Sequence, residues 1–253
     1  MLELKNVSFE VQAENGDIGN TKEILRDVSL VVDDESFVVI TGPNGGGKST
    51  LAKLIMGVEI PTSGKILFDG EDITDLDITE RAKMGIGFAF QQPVRFKGLT
   101  VHDMLNLSAG RELSLDDACV YLSEVGLCAL DYIGRELNAS LSGGELKRIE
   151  IAMVIARGTT LSVFDEPEAG IDLWSFQNLI RVFEKMRDTT QGSVIIISHQ
   201  ERILEIADKV VVIADGRLTA QGTREEILPD LLCDSTECKF YKATGSQRSQ
   251  AQA

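Results

Sequence analysis

The run Gly42-Pro43-Asn44-Gly45-Gly46-Gly47-Lys48-Ser49-Thr50, directly behind the apolar stretch Phe37-Val38-Val39-Ile40, constrains the fold of this chain more than any other segment. A strand that delivers the chain into a glycine-rich turn opening a helix is a building unit of α/β sheets, and here it reads as a phosphate-binding loop. Gly42, Gly45, Gly46 and Gly47 let the backbone turn its amide hydrogens inward without Cβ clashes. A helix starting near Lys48 adds the positive end of its dipole to the same pocket. Lys48 is placed to reach the β- and γ-phosphates of a nucleoside triphosphate, and the Ser49 hydroxyl is a natural ligand for the accompanying Mg²⁺. The plain alternative is a glycine-rich turn without a ligand; every spaced position of the motif speaks against it.

At 253 residues the chain suits one large α/β domain, or one domain carrying a subdomain. The 25 basic and 40 acidic residues give a net charge of −15, which disfavours nonspecific attraction to nucleic acid or anionic lipid. No apolar run approaches the ~20 residues of a membrane-spanning helix, so no direct membrane insertion is expected. The start Met1-Leu2-Glu3-Leu4-Lys5 lacks the layout of a signal peptide, and a cytoplasmic location is expected. Cys119, Cys128, Cys233 and Cys238 show no zinc-type spacing and read as buried or incidental thiols, with Cys233 and Cys238 the one pair that could bind metal or form a disulfide. The tail after Tyr241 is expected to be disordered.

From Met1 to about Gln91, β-type runs alternate with turns: Leu2 to Phe9, Val28 to Val32, Phe37 to Thr41, Lys65 to Phe68 and Gly85 to Phe90. Lys48 to Met56 is the one clear helix there, and Ala13 to Thr21 reads as an exposed hairpin loop. Between Pro93 and Gly158 the character is helical, with Val101 to Ala109, Asp116 to Val125 and Gly143 to Ala156 and no convincing strand, so residues 93–158 read as a helical subdomain. Strand and helix then alternate through Leu161 to Phe164, Leu173 to Arg187, Val194 to Ile197, Glu201 to Ile206 and Val210 to Ala214. The near-continuous Val/Ile runs suit a parallel sheet covered on both faces.

Leu161 to Glu166 is a mostly apolar strand ending in two carboxylates, at the sheet edge where ligands of such folds bind. Asp165 is expected to hold Mg²⁺, mainly through water, and Glu166 to orient and deprotonate the water that attacks the γ-phosphate. Leu141-Ser142-Gly143-Gly144-Glu145 supplies a second helix N-terminus suited to an anion, with the Ser142 hydroxyl and the Gly143 amide expected to face outward. One chain does not need two such ends.

With both motifs in order, the sequence resembles the nucleotide-binding subunits of the ABC ATPase superfamily, from about Leu2 to Leu232; residues 1–232 are expected to form the ATPase domain and 233–253 a C-terminal extension. The resemblance implies an α/β phosphate-loop fold with a mixed, mainly parallel core sheet, an N-terminal antiparallel β subdomain and the inserted helical subdomain. It implies Mg-dependent hydrolysis of ATP, with ATP over GTP inferred from the family alone. It further implies that Ser142, Gly143, Gly144 and Glu145 close over the triphosphate bound to a second subunit, so that hydrolysis needs an ATP-dependent homodimer. Gln91 matches the glutamine that senses Mg²⁺ and water, in preference to Gln92. Asp172 matches the aspartate linking the two sites, and His199 the histidine at the γ-phosphate; His199 also follows a β run, as Glu166 does, and should share its edge. His102 reads as an ordinary residue near a helix cap. The aromatic that commonly stacks on adenine should fall near Val11; Phe9 lies two places early, on the same strand face.

Glu145 in place of glutamine, the continuation Leu146-Lys147-Arg148-Ile149-Glu150, and Ser198 to Leu204 look like SufC, the ATPase of iron–sulfur cluster assembly. Asp165-Glu166-Pro167 and the stretch Ala207 to Arg217 look more like transporter subunits. The resemblance to a divergent SufC implies a SufB-like scaffold as partner, facing Gln91 to Leu107. The alternative is a membrane subunit of a transporter, with the chain peripheral to the membrane. A nucleotide-gated module without hydrolysis is a third reading, and Glu166 and His199 count against it. A final expectation is a latch in which Lys147 pairs with Glu166 while no partner is docked.

Overall fold

The protein is seen in a computed structural model that describes residues 1–12, 21–92, 94–138, 140–189 and 192–236. Its strands are β1 (Leu2–Gln12), β2 (Thr21–Val32), β3 (Phe37–Thr41), β4 (Ser63–Phe68), β5 (Glu71–Asp72), β6 (Ile86–Ala89), β7 (Leu161–Asp165), β8 (Ser193–Ile197), β9 (Lys209–Ala214) and β10 (Arg217–Thr223). Its helices are α1 (Lys48–Met56), α2 (Ile78–Lys83), α3 (Val101–Ala109), α4 (Leu115–Glu124), α5 (Ala129–Tyr132), α6 (Gly143–Arg157), α7 (Leu173–Thr189), α8 (Glu201–Leu204) and α9 (Arg224–Thr236).

Strands β3, β7 and β8 are buried along their whole length, which is why they read as unbroken apolar runs. Their side chains alternate between two cores. Phe37, Val39, Phe164, Val194 and Ile196 join the helices on one face, while Val38, Ile40, Val163, Ile195 and Ile197 meet α1 and the N-terminal sheet on the other. The central sheet has the order β10-β9-β3-β8-β7-β6, parallel from β9 to β6 and closed at one edge by antiparallel β10. A second, antiparallel sheet runs β2-β1-β4-β5. This is the α/β architecture expected from the sequence. Because β3, β6, β7 and β8 are parallel, the turns that follow all four emerge on one edge.

Several elements escaped the sequence reading. Helix α2 is announced by Asp77-Ile78-Thr79-Glu80, where Asp77 Oδ1 accepts from the Thr79 and Glu80 amides at 2.8 and 2.9 Å and Glu80 Oε2 accepts from the Asp77 amide at 3.0 Å. Strand β2 starts at Thr21 rather than Val28, carried by its pairing with β1 through exposed, polar positions. Strand β10 has no buried residue and α9 contains Pro229, so neither shows a clear apolar period. Between the sheets' strands, α3 and α4 pack on α6 and share its core. Most of the expected loop at Ala13 to Thr21, Cys238 and the tail after Tyr241 lie outside the described residues, as does the Cys233 side chain. Cys119 and Cys128 are free thiols. Among the described residues no helix is long and apolar enough to cross a membrane.

Candidate active site

The loop after β3 presses against the end of β9. A Cβ on Gly42 (φ 133°) would lie 2.1 Å from the Ile213 carbonyl oxygen, and one on Gly46 would lie 2.8 Å from the same atom. Gly47, at φ 104°, precedes α1 without any side-chain cap, and the first turn of α1 holds no acidic residue. The positive end of this helix is therefore left for a ligand. Asn44 and Gly45 are exposed at the loop tip, beside Pro43, and Thr50 continues α1 behind Ser49. Lys48 is buried, with Nζ donating to the carbonyls of Gly42 at 2.8 Å and Pro43 at 3.0 Å. Burial lowers its pKa, while Glu166 and Asp165 hold it up.

Asp165, the last residue of β7, accepts from the Ser49 hydroxyl at 3.2 Å. Burial raises its pKa, and the Ser49 bond works the other way. Glu166 turns the chain off the strand in the left-handed region, at φ 45°, a conformation that costs a non-glycine residue about 1 kcal/mol or more. Its amide donates to the Ile197 carbonyl at 3.0 Å, which locks the turn to β8. The carboxylate receives the Gln91 side-chain amide at 2.6 Å, and His199 Nε2 stands 3.7 Å away. Gln91, not Gln92, thus meets Glu166. Side chains following β6, β7 and β8 converge here, with the loop after β3 joined through Ser49.

Lys147 does not pair with Glu166. It is buried on α6 and donates instead to the Phe90 and Gln91 carbonyls, the latter at 2.9 Å, with Glu150 Oε2 at 3.9 Å. The expected latch is overturned because β6 ends at Ala89 and delivers two unpaired carbonyls within reach of Nζ, closer than the carboxylate. Glu150, one turn further along α6, accepts from the Phe90 amide at 3.0 Å. Sequence reading missed the role of Glu150; its spacing of three from Lys147 was the available signal. It also missed Glu168, whose Oε1 accepts from the buried Ser198 hydroxyl at 2.5 Å, tying the turn after Glu166 to the one bearing His199.

The motif at Ser142–Glu145, expected to meet an anion, is separate from the loop after β3. No hydrogen bond or ion pair among the described residues joins 142–145 to 42–50. Ser142 caps α6: its hydroxyl accepts from the Glu145 amide at 3.2 Å, and Glu145 Oε2 accepts from the Ser142 amide at 2.7 Å. The hydroxyl is turned onto its own helix rather than outward as expected, although it can still donate a proton. Glu145 also accepts from the Tyr132 hydroxyl at 2.5 Å, which with the cap holds its carboxyl below the usual range. Gly143 and Gly144 are left at the helix start with no side chain. Asp172, exposed, accepts from the Ser175 amide and hydroxyl at 3.0 and 2.7 Å and so organises the start of α7.

Phe9 is buried in the core between the sheets, while Val11 is exposed, so Phe9 has no face to offer a base. A register shift between Phe9 and Glu10 separates the two environments. His102 sits in the first turn of α3, with Nε2 3.2 Å from the Leu113 carbonyl, in keeping with an ordinary structural residue. Beside the Gln91 turn lies a hollow of about 230 Å³, lined among others by Ile78, Phe88, Phe90, Val94, Phe96 and Glu150.

Comparison with known proteins agrees with this geometry. The profile of the ABC transporter family matches residues 25–169. An uncharacterized ABC transporter ATP-binding protein of Methanocaldococcus jannaschii, MJ0035, is 41% identical over 81% of this chain and 85% of its own. The lipopolysaccharide export system ATP-binding protein LptB of Escherichia coli is 33% identical over 83% of this chain and 88% of its own. Among solved structures, the dimeric ATP-binding cassette MJ0796 bound to ADP and phosphate superposes with a TM-score of 0.78, at 24% identity, over 88% of this chain and 99% of its own. With the phosphate loop, the carboxylate strand and the α6 motif in family order on this fold, the chain belongs to the ABC transporter family and is an ABC-type ATPase.

Proposed function

We propose that this chain is the ATP-hydrolysing subunit of a membrane transporter, working as two copies that close around ATP and move a partner docked beside the Gln91 turn. The observation that carries the catalytic half is the contact chain Gln91–Glu166–His199 beside the Ser49–Asp165 pair, on the edge where the uncapped start of α1 points. The backbone of Gly45, Gly46 and Gly47 and the Lys48 ammonium hold the β- and γ-phosphates, Lys48 exchanging its two carbonyl partners for phosphate oxygens.

The Ser49 hydroxyl, a buried carboxylate and the Gln91 amide oxygen form an all-oxygen donor set that fits Mg²⁺. When bound, that ion neutralises charge building on the phosphates. Glu166 accepts the proton of the attacking water, oriented by Gln91, while His199 donates a hydrogen bond toward the transferring group. The paired capping of Ser142 and Glu145 leaves the Gly143 and Gly144 amides to meet the second copy's ATP, with Asp172 near the junction. That no hydrogen bond or ion pair among the described residues joins the two halves within one chain supports the dimer.

The partner's place is supported by the hollow at Phe90, Val94 and Phe96, three large apolar side chains that are each more than a third exposed. A membrane subunit offering an apolar helix fits it, and the similarity to LptB and MJ0035, ATP-binding proteins of an export system and of an ABC transporter, favours that partner. A SufB-like scaffold is the second reading, and it rests only on the resemblance to SufC of Glu145, of the run Leu146 to Glu150 and of Ser198 to Leu204. Affinity purification of the native complex separates the two: a polytopic membrane protein supports the first, and a soluble partner with bound iron and sulfide replaces it with the second.

A further inference from the structure

We infer that Lys147 and Glu150 are positioning residues for ATP hydrolysis, clamping the backbone of the Phe90–Gln91 turn and so setting the contact between Gln91 and Glu166. The inference rests on the roles proposed above for those two side chains. Strand β6 ends at Ala89, whose place in the sheet is its pairing with Phe164; beyond it, Phe90 and Gln91 have left the ladder. Their backbone groups are taken over by α6. Lys147 Nζ donates to both carbonyls, and Glu150 Oε1 accepts from the Phe90 amide. Three backbone groups of two adjacent residues are thus gripped by two side chains one helical turn apart. Gln91 then reaches Glu166 at 2.6 Å from a turn that cannot slide without losing those bonds.

Such a pair is a poor device for stability. Lys147 is buried and Glu150 mostly so, 1% and 13% exposed at the side chain, Glu150 Oε2 has no hydrogen-bond partner, and the desolvation of such a pair offsets much of its attraction. An apolar pair could not hold two carbonyls and an amide. The position of the clamp gives it reach. Helix α6 is capped by Ser142, of the motif proposed to meet the second copy, and Glu150 together with Phe88, Phe90 and Leu146 lines the hollow proposed for the partner. Whatever fills that hollow presses on Phe90, and through the clamp moves Gln91 against the base.

The test is a double-mutant cycle in steady-state ATP hydrolysis by the full chain. Lys147→Met should lower kcat by about 10-fold or more with KM for ATP changed less than about 2-fold, because among the described residues no hydrogen bond or ion pair joins Lys147 to the phosphate loop; Lys147→Arg should recover most of the rate. In a Gln91→Ala background, Lys147→Met should cost less than about 2-fold further. An equal loss in both backgrounds, or wild-type kcat in Lys147→Met, would overturn the clamp. Gln91→Ala with an unchanged kcat would instead remove Gln91 from the reaction, and the clamp with it. Should Lys147→Met fail to fold, Glu150→Met, which takes away the Phe90 acceptor, goes through the same cycle with the same expected non-additivity, and an additive loss there overturns the inference.

Discussion

The substitution Glu150→Gln should stabilise the nucleotide-free protein above neutral pH and flatten the pH dependence of its stability. Burial raises the Glu150 carboxyl from 4.5 to about 7, with Lys147 and the Phe90 amide opposing the shift. In the unfolded chain it titrates near its ordinary value. Between the two values the folded state holds a proton that the unfolded state has lost, so this group's contribution to stability is fully present below about pH 4.5 and is lost as pH rises through about 7. At about 1.4 kcal/mol per pKa unit the ceiling is roughly 3 kcal/mol, and residual exposure with a cation nearby brings the expected size to about 1–3 kcal/mol. In the Glu150→Gln variant the side-chain amide oxygen would still accept from the Phe90 amide without carrying charge. Urea denaturation at pH 5, 6, 7 and 8 measures the effect. Asp165 and Glu168, also raised by burial, act in the same direction and remain in the variant, so the difference between the two curves is diagnostic. The reasoning predicts curves that diverge with rising pH, the variant lying higher at pH 8; parallel curves, or a variant less stable at pH 8, would refute it.

Gly42→Ala should fail to fold or lose at least ~3 kcal/mol, since its Cβ would meet the Ile213 carbonyl at 2.1 Å, while Gly45→Ala, with open space around it, should lose only about 1–2 kcal/mol for its positive φ; thermal melts of the two variants make the comparison. Lys48→Met should weaken binding of a fluorescent ATP analogue at least ~10-fold while shifting Tm by only a few degrees, because its recorded hydrogen bonds are to two carbonyls of its own loop. A large Tm loss would make Lys48 a structural residue.

The parts of the fold legible in the sequence were those in which one physical demand dominates. Strands β3, β7 and β8, buried on both faces, must be apolar throughout, and the turn at Gly42–Gly47 needs glycine at φ 133°, 77° and 104°. Where demands mix, the pattern faded. Strand β2 begins in polar, exposed residues held by pairing with β1, and β10 is an edge strand with no buried residue. Phe9 was expected on the same strand face as Val11, but the register shift beside it breaks the period of two, and Phe9 is buried while Val11 is exposed. The meeting of Glu166 and His199 followed from two β runs that end on one edge, while Gln91 was placed beside them by the family resemblance alone. The partner of Lys147 could not be read, because it is a pair of backbone carbonyls, and backbone groups carry no sequence signal.

The central claim is that each phosphate loop is half a site, completed by the Ser142–Glu145 motif of a second copy. Sedimentation of the Glu166→Gln variant with and without ATP and Mg²⁺ tests it most directly, because loss of the base slows hydrolysis by about 10²–10⁴-fold and lets the closed state persist. The account predicts a monomer without nucleotide and a dimer with ATP, which reverts to monomer when Gly143→Asp is added to block the α6 start. A variant that binds ATP yet stays monomeric, or one that hydrolyses at the wild-type rate, would contradict it.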